Sequence, residues 1–415
     1  MQTNHPSLGL SPERLARLTR SMERYVAQGQ VAGVVSLISR YGEIAALEAF
    51  GLADIETGHP MRPDTLFRIY SMTKPVTSVA VLMLLEEGHF RLGDPLSAYV
   101  PAFQDMEVLE VAPDGEARRT KADRPITIYH LLTHTAGLSY GFSGEPLDRL
   151  YQEAFWHLGE DGPAASGLDP VTAAIASLAV AHRQTLDEVV EAVARLPLGH
   201  QPGTQFRYSV ATDVLGLLIE KVSGRTLPEF FKERIFGPLG MTDTDFHVPP
   251  EKADRFTTIY GVTEQSRLTV VDAASTSLFH QPPRCPLGGS GLVSTAPDYL
   301  RFARMLLGKG EVDETRLLGR KTVELMTADH PPAGISPTDN RPAGFGLGVG
   351  IQRQVGGTQS LGSAGTFGWG GAASTDWWAD PEEQMVGIFM TQLLPSHGCP
   401  IVQDHRLLTY QSIVD

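Results

Sequence analysis

The fold of this chain is decided by one short stretch, Ile69-Tyr70-Ser71-Met72-Thr73-Lys74-Pro75, and by the apolar run that follows it. Val76, Val79, Ala80, Met83 and Leu84 recur at helical spacing, which predicts a buried helix over residues 74–87. Ser71 then lies at the N-terminus of that helix, where free N–H groups and the helix dipole favour developing negative charge. The i, i+3 spacing places the Lys74 ammonium on the same helical face as the Ser71 hydroxyl.

A serine hydroxyl is a poor nucleophile unless a neighbouring group can take its proton. The Ser-x-x-Lys spacing is not specific on its own, because it is also typical of a capped, solvated helix start. Here, however, a strongly apolar helix follows the lysine at once, and a solvent-facing charge is not expected there. Ser71 and Lys74 are therefore candidates for a catalytic nucleophile and its activating partner.

Outward from this helix, strand patterns lie at both ends of the chain and helical patterns lie between them. Ser11 and Pro12 begin an N-terminal helix, and residues 33–39 and 44–50 form a hairpin that turns at Tyr41-Gly42. Further patterns are strand-like over 344–355, 371–379 and 385–392, and helical over 186–196, 212–223 and 297–307. This layout predicts an α+β fold in which an antiparallel sheet, built from both chain ends and flanked by helices, carries an inserted, mainly helical domain.

The same layout predicts a division into two domains. We expect an α/β domain from residues 1–90 and 285–415, a mainly helical domain from residues 91–284, and an active site at their junction. Glycine and proline punctuate residues 141–185, which we expect to form a loop or cap over the middle of the molecule.

Composition excludes several classes of function. The 415 residues are 42% hydrophobic and 20% charged, with a net charge of −14, and the one basic run is Arg118-Arg119-Thr120-Lys121, so we expect no nucleic-acid partner. The two cysteines, Cys285 and Cys399, form no Cys-x-x-Cys pair, and no His-Glu-x-x-His occurs, so we expect no metal and no cofactor. No stretch of about 18 apolar residues predicts a membrane span. The N-terminal residues lack a secretory signal pattern, which predicts a cytoplasmic location.

Further motifs accompany the serine and lysine in a fixed order. They are Leu92-Gly93-Asp94-Pro95-Leu96, Ile126-Thr127-Ile128-Tyr129-His130-Leu131-Leu132-Thr133-His134-Thr135-Ala136-Gly137-Leu138, Pro202-Gly203-Thr204-Gln205-Phe206-Arg207-Tyr208-Ser209, Gly237-Pro238-Leu239-Gly240-Met241 and Gly288-Gly289-Ser290-Gly291-Leu292. With residues 67–85, they resemble class C β-lactamases, penicillin-binding DD-peptidases and the related family VIII carboxylesterases over most of the chain. The resemblance implies a β-lactamase-like fold.

The resemblance also implies roles for particular residues. Ser71 and Lys74 match the nucleophile and the lysine, and Tyr208 matches the tyrosine of a Tyr-x-Asn element, which exchanges protons with the nucleophile and the leaving group. The oxyanion hole is expected to consist of two backbone N–H groups, that of Ser71 and that of Ala372 on an edge strand. Gly370 and Gly371 are expected to let substrate approach that strand closely.

Two departures from the lactam-hydrolysing members indicate the substrate class. Val210 stands where those members have asparagine, and Trp369-Gly370-Gly371 stands where they have Lys-Thr-Gly. An aromatic wall thus replaces a cation that would pair with a substrate carboxylate. We rejected Lys321-Thr322-Val323 as an alternative because it lies in a helical pattern. Both departures resemble the family VIII esterases and favour neutral acyl esters over anionic β-lactams.

We therefore expect a serine carboxylesterase that hydrolyses short to medium acyl esters of small molecules through a Ser71 acyl-enzyme, with Trp369, Gly370, Gly371 and Val210 contacting the substrate. Acyl transfer on the same intermediate, β-lactamase or peptidase activity, and a non-catalytic binding member remain alternatives. Nothing in the sequence indicates an oligomeric state.

Other interpretations of individual residues carry less support. A Ser-His-Asp hydrolase would need a Gly-x-Ser-x-Gly elbow, which is lacking, and we expect His130 and His134 to cap or hydrogen-bond the turn at residues 131–133 instead. Phe367 and the tryptophans at 369, 377 and 378 suggest an aromatic-lined pocket. Because Trp377 and Trp378 are neighbours on a strand, at most one of them can line it.

Overall fold

The computed structural model describes residues 8–112, 116–142, 146–155, 179–330, 343–355, 361–396 and 398–415. Eight strands form its main sheet: β1 (Gly33–Arg40), β2 (Glu43–Asp54), β3 (His59–Pro60), β4 (Ala343–Phe345), β5 (Gly350–Gln352), β6 (Phe367–Gly370), β7 (Asp376–Asp380) and β8 (Met385–Met390). They are ordered β4-β5-β6-β7-β8-β1-β2-β3, and every neighbouring pair is antiparallel.

Strand β1 joins the two ends of the chain. It pairs with β2 through the predicted hairpin at Tyr41 and Gly42, and with β8 through a register that sets Val35 opposite Met390. The N-terminal and C-terminal strands thus form one continuous sheet. The predicted α+β fold is confirmed.

The helices are bounded as follows: α1 (Pro12–Ala27), α2 (Thr73–Glu86), α3 (Ile128–Leu132), α4 (Pro146–Phe155), α5 (Leu186–Ala194), α6 (Ala211–Ser223), α7 (Leu227–Phe231), α8 (Gly237–Leu239), α9 (Ala296–Leu307), α10 (Arg320–Met326) and α11 (Ile401–Gln411). The predicted helices at 74–87, 186–196, 212–223 and 297–307 correspond to α2, α5, α6 and α9, with ends that differ by one or two residues. The hydroxyl of Ser11 caps α1, and Pro12 is its first residue, as predicted.

Helices cover both faces of the sheet. On one face α1 packs against α11, and Trp378 lies in the apolar cluster between them and the sheet. On the other face α9 packs against β1, β7 and β8, and Trp377 lies in the larger cluster that also includes α2 and α6. Because both faces are covered, every residue of β1 is buried. The contact between α2 and α6 brings Ser71 and Tyr208 into one region.

Smaller strand pairs complete the structure. Glu107–Val111 pairs with Ala117–Lys121, Phe67–Arg68 with Val293–Ser294, and Glu311–Val312 with Thr315–Arg316. Ile259–Val262 pairs with Leu268–Asp272 and with Leu393–Leu394. Residues 91–284 therefore contain strands as well as helices, and the division into two domains stays a prediction.

Two strand predictions were wrong in detail. Residues 371–375 form a turn rather than the start of a strand, because the Gly371 N–H bonds the Thr375 carbonyl at 2.7 Å and closes the chain on itself. Residues 344–355 form two short strands, β4 and β5, because the Gly346 N–H bonds the Val349 carbonyl at 2.7 Å. Of the predicted cap at 141–185, residues 146–155 form α4, and residues 143–145 and 156–178 lie outside the described residues.

Several expectations from composition have structural counterparts. The basic run lies on a hairpin strand, where Arg118 and Arg119 pair with Glu110 and Glu107 across the ladder. Both cysteine thiols are free. Across the part of the chain that the structure describes, no helix combines the length and apolar character that crossing a membrane requires.

The close contact between Gly387 and Trp378 generates a stability prediction. A Cβ atom at position 387 would lie 2.2 Å from the ring of the fully buried Trp378. Gly387→Ala should therefore lower the free energy of unfolding by about 1–3 kcal/mol, measured by urea denaturation. The matched control is Gly93→Ala, where nothing lies within 4 Å of the added Cβ. Equal unfolding midpoints for the two variants would contradict this packing.

Candidate active site

Ser71 lies in a tight turn that leads into α2. Residues Tyr70–Met72 form one turn of 3-10 helix, and Tyr70 adopts φ +43°, a left-handed conformation that is uncommon for a bulky residue. The buried Tyr70 side chain is held against Ile259, Ala373 and Leu394. The surrounding side chains thus hold a strained backbone conformation directly before the predicted nucleophile. Strained residues that are held in this way are found at functional sites.

The Lys74 side chain is almost fully buried, at 1% exposure, and reaches back to Ser71. Its Nζ atom donates to Ser71 Oγ at 3.1 Å and to the Gly289 carbonyl at 2.8 Å. It also lies 4.6 Å from the ring centroid of Tyr208 and 5.2 Å from that of Tyr140. A carbonyl oxygen and the faces of aromatic rings both attract a cation, so they stabilise a buried ammonium. The structure therefore brings Ser71, Lys74 and Tyr208 together.

Tyr208 sits just before α6, between Lys74 and the sheet. Its hydroxyl accepts a hydrogen bond from Trp369 Nε1 at 3.1 Å, and the two rings lie 5.5 Å apart. On its other side the ring of His134 lies 4.8 Å away. Trp369 thus contacts the predicted proton-exchanging phenol as well as forming a wall.

The Trp369-Gly370-Gly371 segment reaches the nucleophile turn from the sheet. A Cβ atom at Gly371 would lie 2.5 Å from the Ile69 carbonyl oxygen, so only glycine fits at this contact. Ala372 packs against the cluster around Tyr70. The backbone of Ala372 therefore lies beside the turn that carries Ser71, as an oxyanion hole requires.

The prediction that Ala372 lies on an edge strand was wrong. Strand β6 ends at Gly370 and lies between β5 and β7, and Ala372 is in the turn that follows. Among the described residues, β5 pairs with Phe367 and Gly368 of β6 and with neither Trp369 nor Gly370, so the end of the strand is the part that a substrate can reach.

Val210 is placed differently from the expectation. It precedes α6, is fully buried and belongs to the main apolar core, so its side chain does not present a surface to substrate. Neither Trp377 nor Trp378 lines the site, since both are fully buried on opposite faces of the sheet. Phe367 also packs in the core, against Trp377. The aromatic wall consists instead of Trp369, Tyr208, Tyr140 and Phe142, and the fully buried Phe345 packs behind Trp369.

The two histidines of the 126–138 motif have different environments. His130 forms a capping box with Thr127, as expected, and burial lowers its pKa to about 4, with Arg124 adding to the effect. The backbone N–H of His134 donates to the Leu131 carbonyl of the turn at 3.3 Å, as expected, but its side chain has a different partner. It is fully buried with Nδ1 3.3 Å from Ser209 Oγ, and burial, together with the charge of Lys74, holds its pKa well below the usual value. His134 is therefore a neutral ring behind Tyr208.

Sequence reasoning missed two residues of the site, Tyr140 and Asp213. The Asp213 carboxylate is buried and accepts a hydrogen bond from the Gly289 N–H at 2.8 Å. Burial raises its pKa to about 6, against the opposing effects of Lys74 and of that hydrogen bond. Burial, and next the Asp213 charge, hold the Tyr140 pKa well above its usual value. An aspartate within the apolar run of α6 was the signal that could have been read.

Nothing in this arrangement is built to bind a metal. Within the described residues, no group of three His, Cys, Asp or Glu side chains is placed to hold a metal ion. The groups that converge are a hydroxyl, a buried amine, a phenol and backbone N–H groups, which suit nucleophilic acyl transfer.

Known proteins share this architecture. The model of the β-lactamase family matches residues 18–410. Protein Rv1367c of Mycobacterium tuberculosis (strain ATCC 25618 / H37Rv) is 38% identical over 379 residues, which cover 88% of this chain and 87% of that protein. Esterase EstB of Burkholderia gladioli is 30% identical over 385 residues, covering 88% and 87%. The solved structure of EstCE1, described as a hydrolase with promiscuous acyltransferase activity, has a TM-score of 0.78 and 26% identity, covering 96% of this chain and 99% of that one.

These likenesses agree with the geometry of the site and extend over nearly the whole chain. The predicted β-lactamase-like fold is therefore confirmed, and so is the predicted class of carboxylic ester hydrolase. The chain belongs to the β-lactamase family, and within it to the serine esterases known as family VIII.

Proposed function

We propose that this esterase hydrolyses short to medium acyl esters of neutral small molecules through an acyl-enzyme on Ser71. The observation that carries the proposal is the hydrogen bond of 3.1 Å between Lys74 Nζ and Ser71 Oγ, formed by an amine that is almost fully buried. An amine in direct contact with the hydroxyl is placed to take part in the transfer of its proton, which a lysine that extends into bulk water is not.

Acylation begins when Ser71 Oγ attacks the ester carbonyl carbon and its proton passes to the Lys74 and Tyr208 pair, which accepts it in the form that has already lost one proton, as an amine beside a phenol or an ammonium beside a phenolate. The C–O bond to the alcohol then breaks, and the alcohol leaves with a proton delivered through Tyr208. Water next attacks the acyl-enzyme, loses its proton to the same pair, and releases the acid and free Ser71. The positions of Lys74 against the Tyr208 ring and of Trp369 on the Tyr208 hydroxyl support this shared use.

Negative charge develops on the carbonyl oxygen during both attacks. We assign its stabilisation to the backbone N–H groups of Ser71 and Ala372. The close contact of Gly371 with the Ile69 carbonyl supports this assignment, because it fixes the turn that carries Ala372 beside the nucleophile turn.

The preference for neutral esters rests on what surrounds Tyr208. Trp369 stands where lactam-hydrolysing members have a lysine, and its N–H is already used by Tyr208. With Tyr140 and Phe142 it offers a wall that favours apolar acyl and alcohol groups over a carboxylate, and the fully buried Phe345 supports Trp369 from the core. Because Gly370 and Gly371 carry no side chain, an ester can approach the end of β6 closely. Val210 is fully buried in the core and is not part of this wall.

Acyl transfer is a second candidate on the same intermediate. The likeness to EstCE1, which is described as a hydrolase with promiscuous acyltransferase activity, favours it. An alcohol that enters the aromatic-walled site in place of water would receive the acyl group and lose its proton to the same pair.

A cytoplasmic location and an active site at the junction of two domains remain predictions.

The nucleophile assignment is tested by Ser71→Ala. The variant should lose about a thousandfold or more of kcat with p-nitrophenyl butyrate, because the other hydrogen-bond acceptor of Lys74 Nζ among the described residues is the Gly289 carbonyl, which cannot act as a nucleophile. A chromogenic cephalosporin assayed alongside should be turned over poorly by the native chain. Ester hydrolysis that survives in Ser71→Ala would contradict the nucleophile, and dominant cephalosporin turnover would contradict the substrate class.

The role of the phenol is tested by Tyr208→Phe. Loss of the proton-exchanging hydroxyl should lower kcat by about 100-fold to 10,000-fold. Trp369→Phe is the matched variant, because it keeps the aromatic wall and removes only the N–H that bonds Tyr208. It should cost about threefold to tenfold, the worth of one neutral hydrogen bond. A Tyr208→Phe variant as active as Trp369→Phe would contradict the assignment.

The oxyanion assignment is tested by Gly371→Ala. The added Cβ would meet the Thr375 hydroxyl oxygen at 2.2 Å and the Ile69 carbonyl oxygen at 2.5 Å, and so displace the turn that carries Ala372. We expect kcat to fall by about 100-fold or more. Adding Thr375→Ala removes the side-chain clash and leaves the backbone clash, so the double variant should stay slow. Full recovery in the double variant would show that the Ile69 contact does not set the rate.

A further inference from the structure

The Asp213 carboxylate is connected to the catalytic lysine through a single peptide residue. Asp213 Oδ1 accepts the Gly289 N–H at 2.8 Å, and the carbonyl of the same glycine accepts from Lys74 Nζ at 2.8 Å. Lys74 in turn donates to Ser71 Oγ. The backbone of Gly289 thus uses its N–H to bond the Asp213 carboxylate and its carbonyl to bond the Lys74 ammonium.

The space around Gly289 is closed on the side of Asp213. A Cβ atom at position 289 would lie 2.9 and 3.0 Å from the two Asp213 carboxylate oxygens and 2.9 Å from the Tyr140 hydroxyl oxygen. Glycine is therefore required for the backbone to approach the carboxylate this closely. Asp213 itself is held in the first turn of α6 and is 2% exposed. Asp213 and Gly289 are therefore each held in place by the atoms around them.

A buried carboxylate is costly unless charge and hydrogen bonds compensate it. The ionisable groups around Asp213 are Lys74 from α2, Tyr140 from the segment after α3, and Cys285 from the segment before Gly289. Lys74 is the cation among them, and its charge favours the ionised carboxylate. The site therefore keeps a carboxylate in its interior, where the Lys74 charge and the Gly289 N–H compensate part of the cost of burying it.

We propose that Asp213 is a positioning residue, which fixes the Gly289 peptide and thereby holds the Lys74 ammonium against Ser71 while balancing its charge. The inference rests on the proposed function of Ser71 and Lys74 and adds a member to that site. It also bears on the departure at Val210. Where the lactam-hydrolysing members have an amide at that position, this chain has a carboxylate three residues further along, in the first turn of α6.

The carboxylate also makes the site sensitive to pH. Burial raises the pKa of Asp213 to about 6, so the group is ionised above that pH and becomes neutral as the pH falls through it. The ammonium of Lys74 then loses its counter-charge. The kcat of the native chain should fall on the acid side of about pH 6 for this reason.

The test is Asp213→Asn, which keeps the shape and an oxygen that can accept the Gly289 N–H, and removes the charge. We expect kcat for p-nitrophenyl butyrate to fall by about 10-fold to 100-fold, the factor that a charge-assisted hydrogen bond contributes. KM should stay within about threefold, because Asp213 does not touch substrate. The decline of kcat near pH 6 should disappear in this variant. Asp213→Ala should be slower still, because the Gly289 N–H then has no acceptor.

Asp298→Asn is the matched control. Asp298 also lies in the first turn of a helix, is buried, has its pKa raised to about 6 by burial, and accepts from the Asp243 N–H and the Thr244 hydroxyl. Asp298→Asn should leave kcat and the pH profile unchanged.

Thermal melting at pH 8 separates an effect on function from an effect on folding. Asp213→Asn should melt at or above the melting temperature of the native chain, because an anion whose pKa is raised in the folded state destabilises the fold above that pKa.

The kcat values of these variants distinguish the positioning role of Asp213 from the proposed function of Ser71. Native kcat and an unaltered pH profile in a folded Asp213→Asn, with Ser71→Ala inactive, would overturn the positioning role and leave the nucleophile standing. An equal loss of kcat in Asp298→Asn would overturn it too, by showing that any buried aspartate has this effect. Activity in Ser71→Ala would instead overturn the function on which the inference rests.

Discussion

Everything in this site depends on burying the ammonium of Lys74. Moving such a group out of water costs several kcal/mol even after the protein relaxes. The structure offsets that cost with the Gly289 carbonyl at 2.8 Å, the Ser71 hydroxyl at 3.1 Å, the faces of two tyrosine rings and the nearby Asp213 carboxylate. The partners that stabilise the charge are also those that the reaction uses. A lysine left in water would have neither the contact nor the reactivity.

The fold is arranged so that these partners arrive from distant parts of the sequence. Helix α2 supplies Ser71 and Lys74, and its packing against α6 fixes Tyr208 and Asp213 across from them. The sheet, formed from both chain ends, delivers Trp369 and the turn at Ala372 from the opposite side. The pairing of β1 with β8 therefore helps to place the turn at Ala372, which carries one of the two proposed oxyanion donors, although neither strand contains a site residue. Stability of the sheet and geometry of the site are thus linked.

Local patterns were enough to predict most of the elements. The apolar spacing after Lys74 located α2 because that helix is buried from Thr73 to Leu84, and alternation with a turn located the β1–β2 hairpin. The turn at 371–375 was missed because Ala372 to Thr375 read as strand residues in isolation, whereas the bond between the Gly371 N–H and the Thr375 carbonyl closes them. Val210 was misplaced for a related reason, since its burial follows from how α6 packs and not from its neighbours. Asp213 and Tyr140 meet Gly289 only in the tertiary structure.

The measurement that tests the central claim most directly is active-site titration with an alkyl p-nitrophenyl alkylphosphonate, a neutral diester that phosphonylates an activated serine with release of p-nitrophenol and stays bound. Released p-nitrophenol is counted, and the adduct is located by mass spectrometry of peptides. If the buried lysine activates Ser71, each chain should release a single p-nitrophenol and carry the adduct on Ser71. Lys74→Met should slow this release strongly and leave the protein folded. An adduct on another residue, or an unchanged rate in Lys74→Met, would contradict the account.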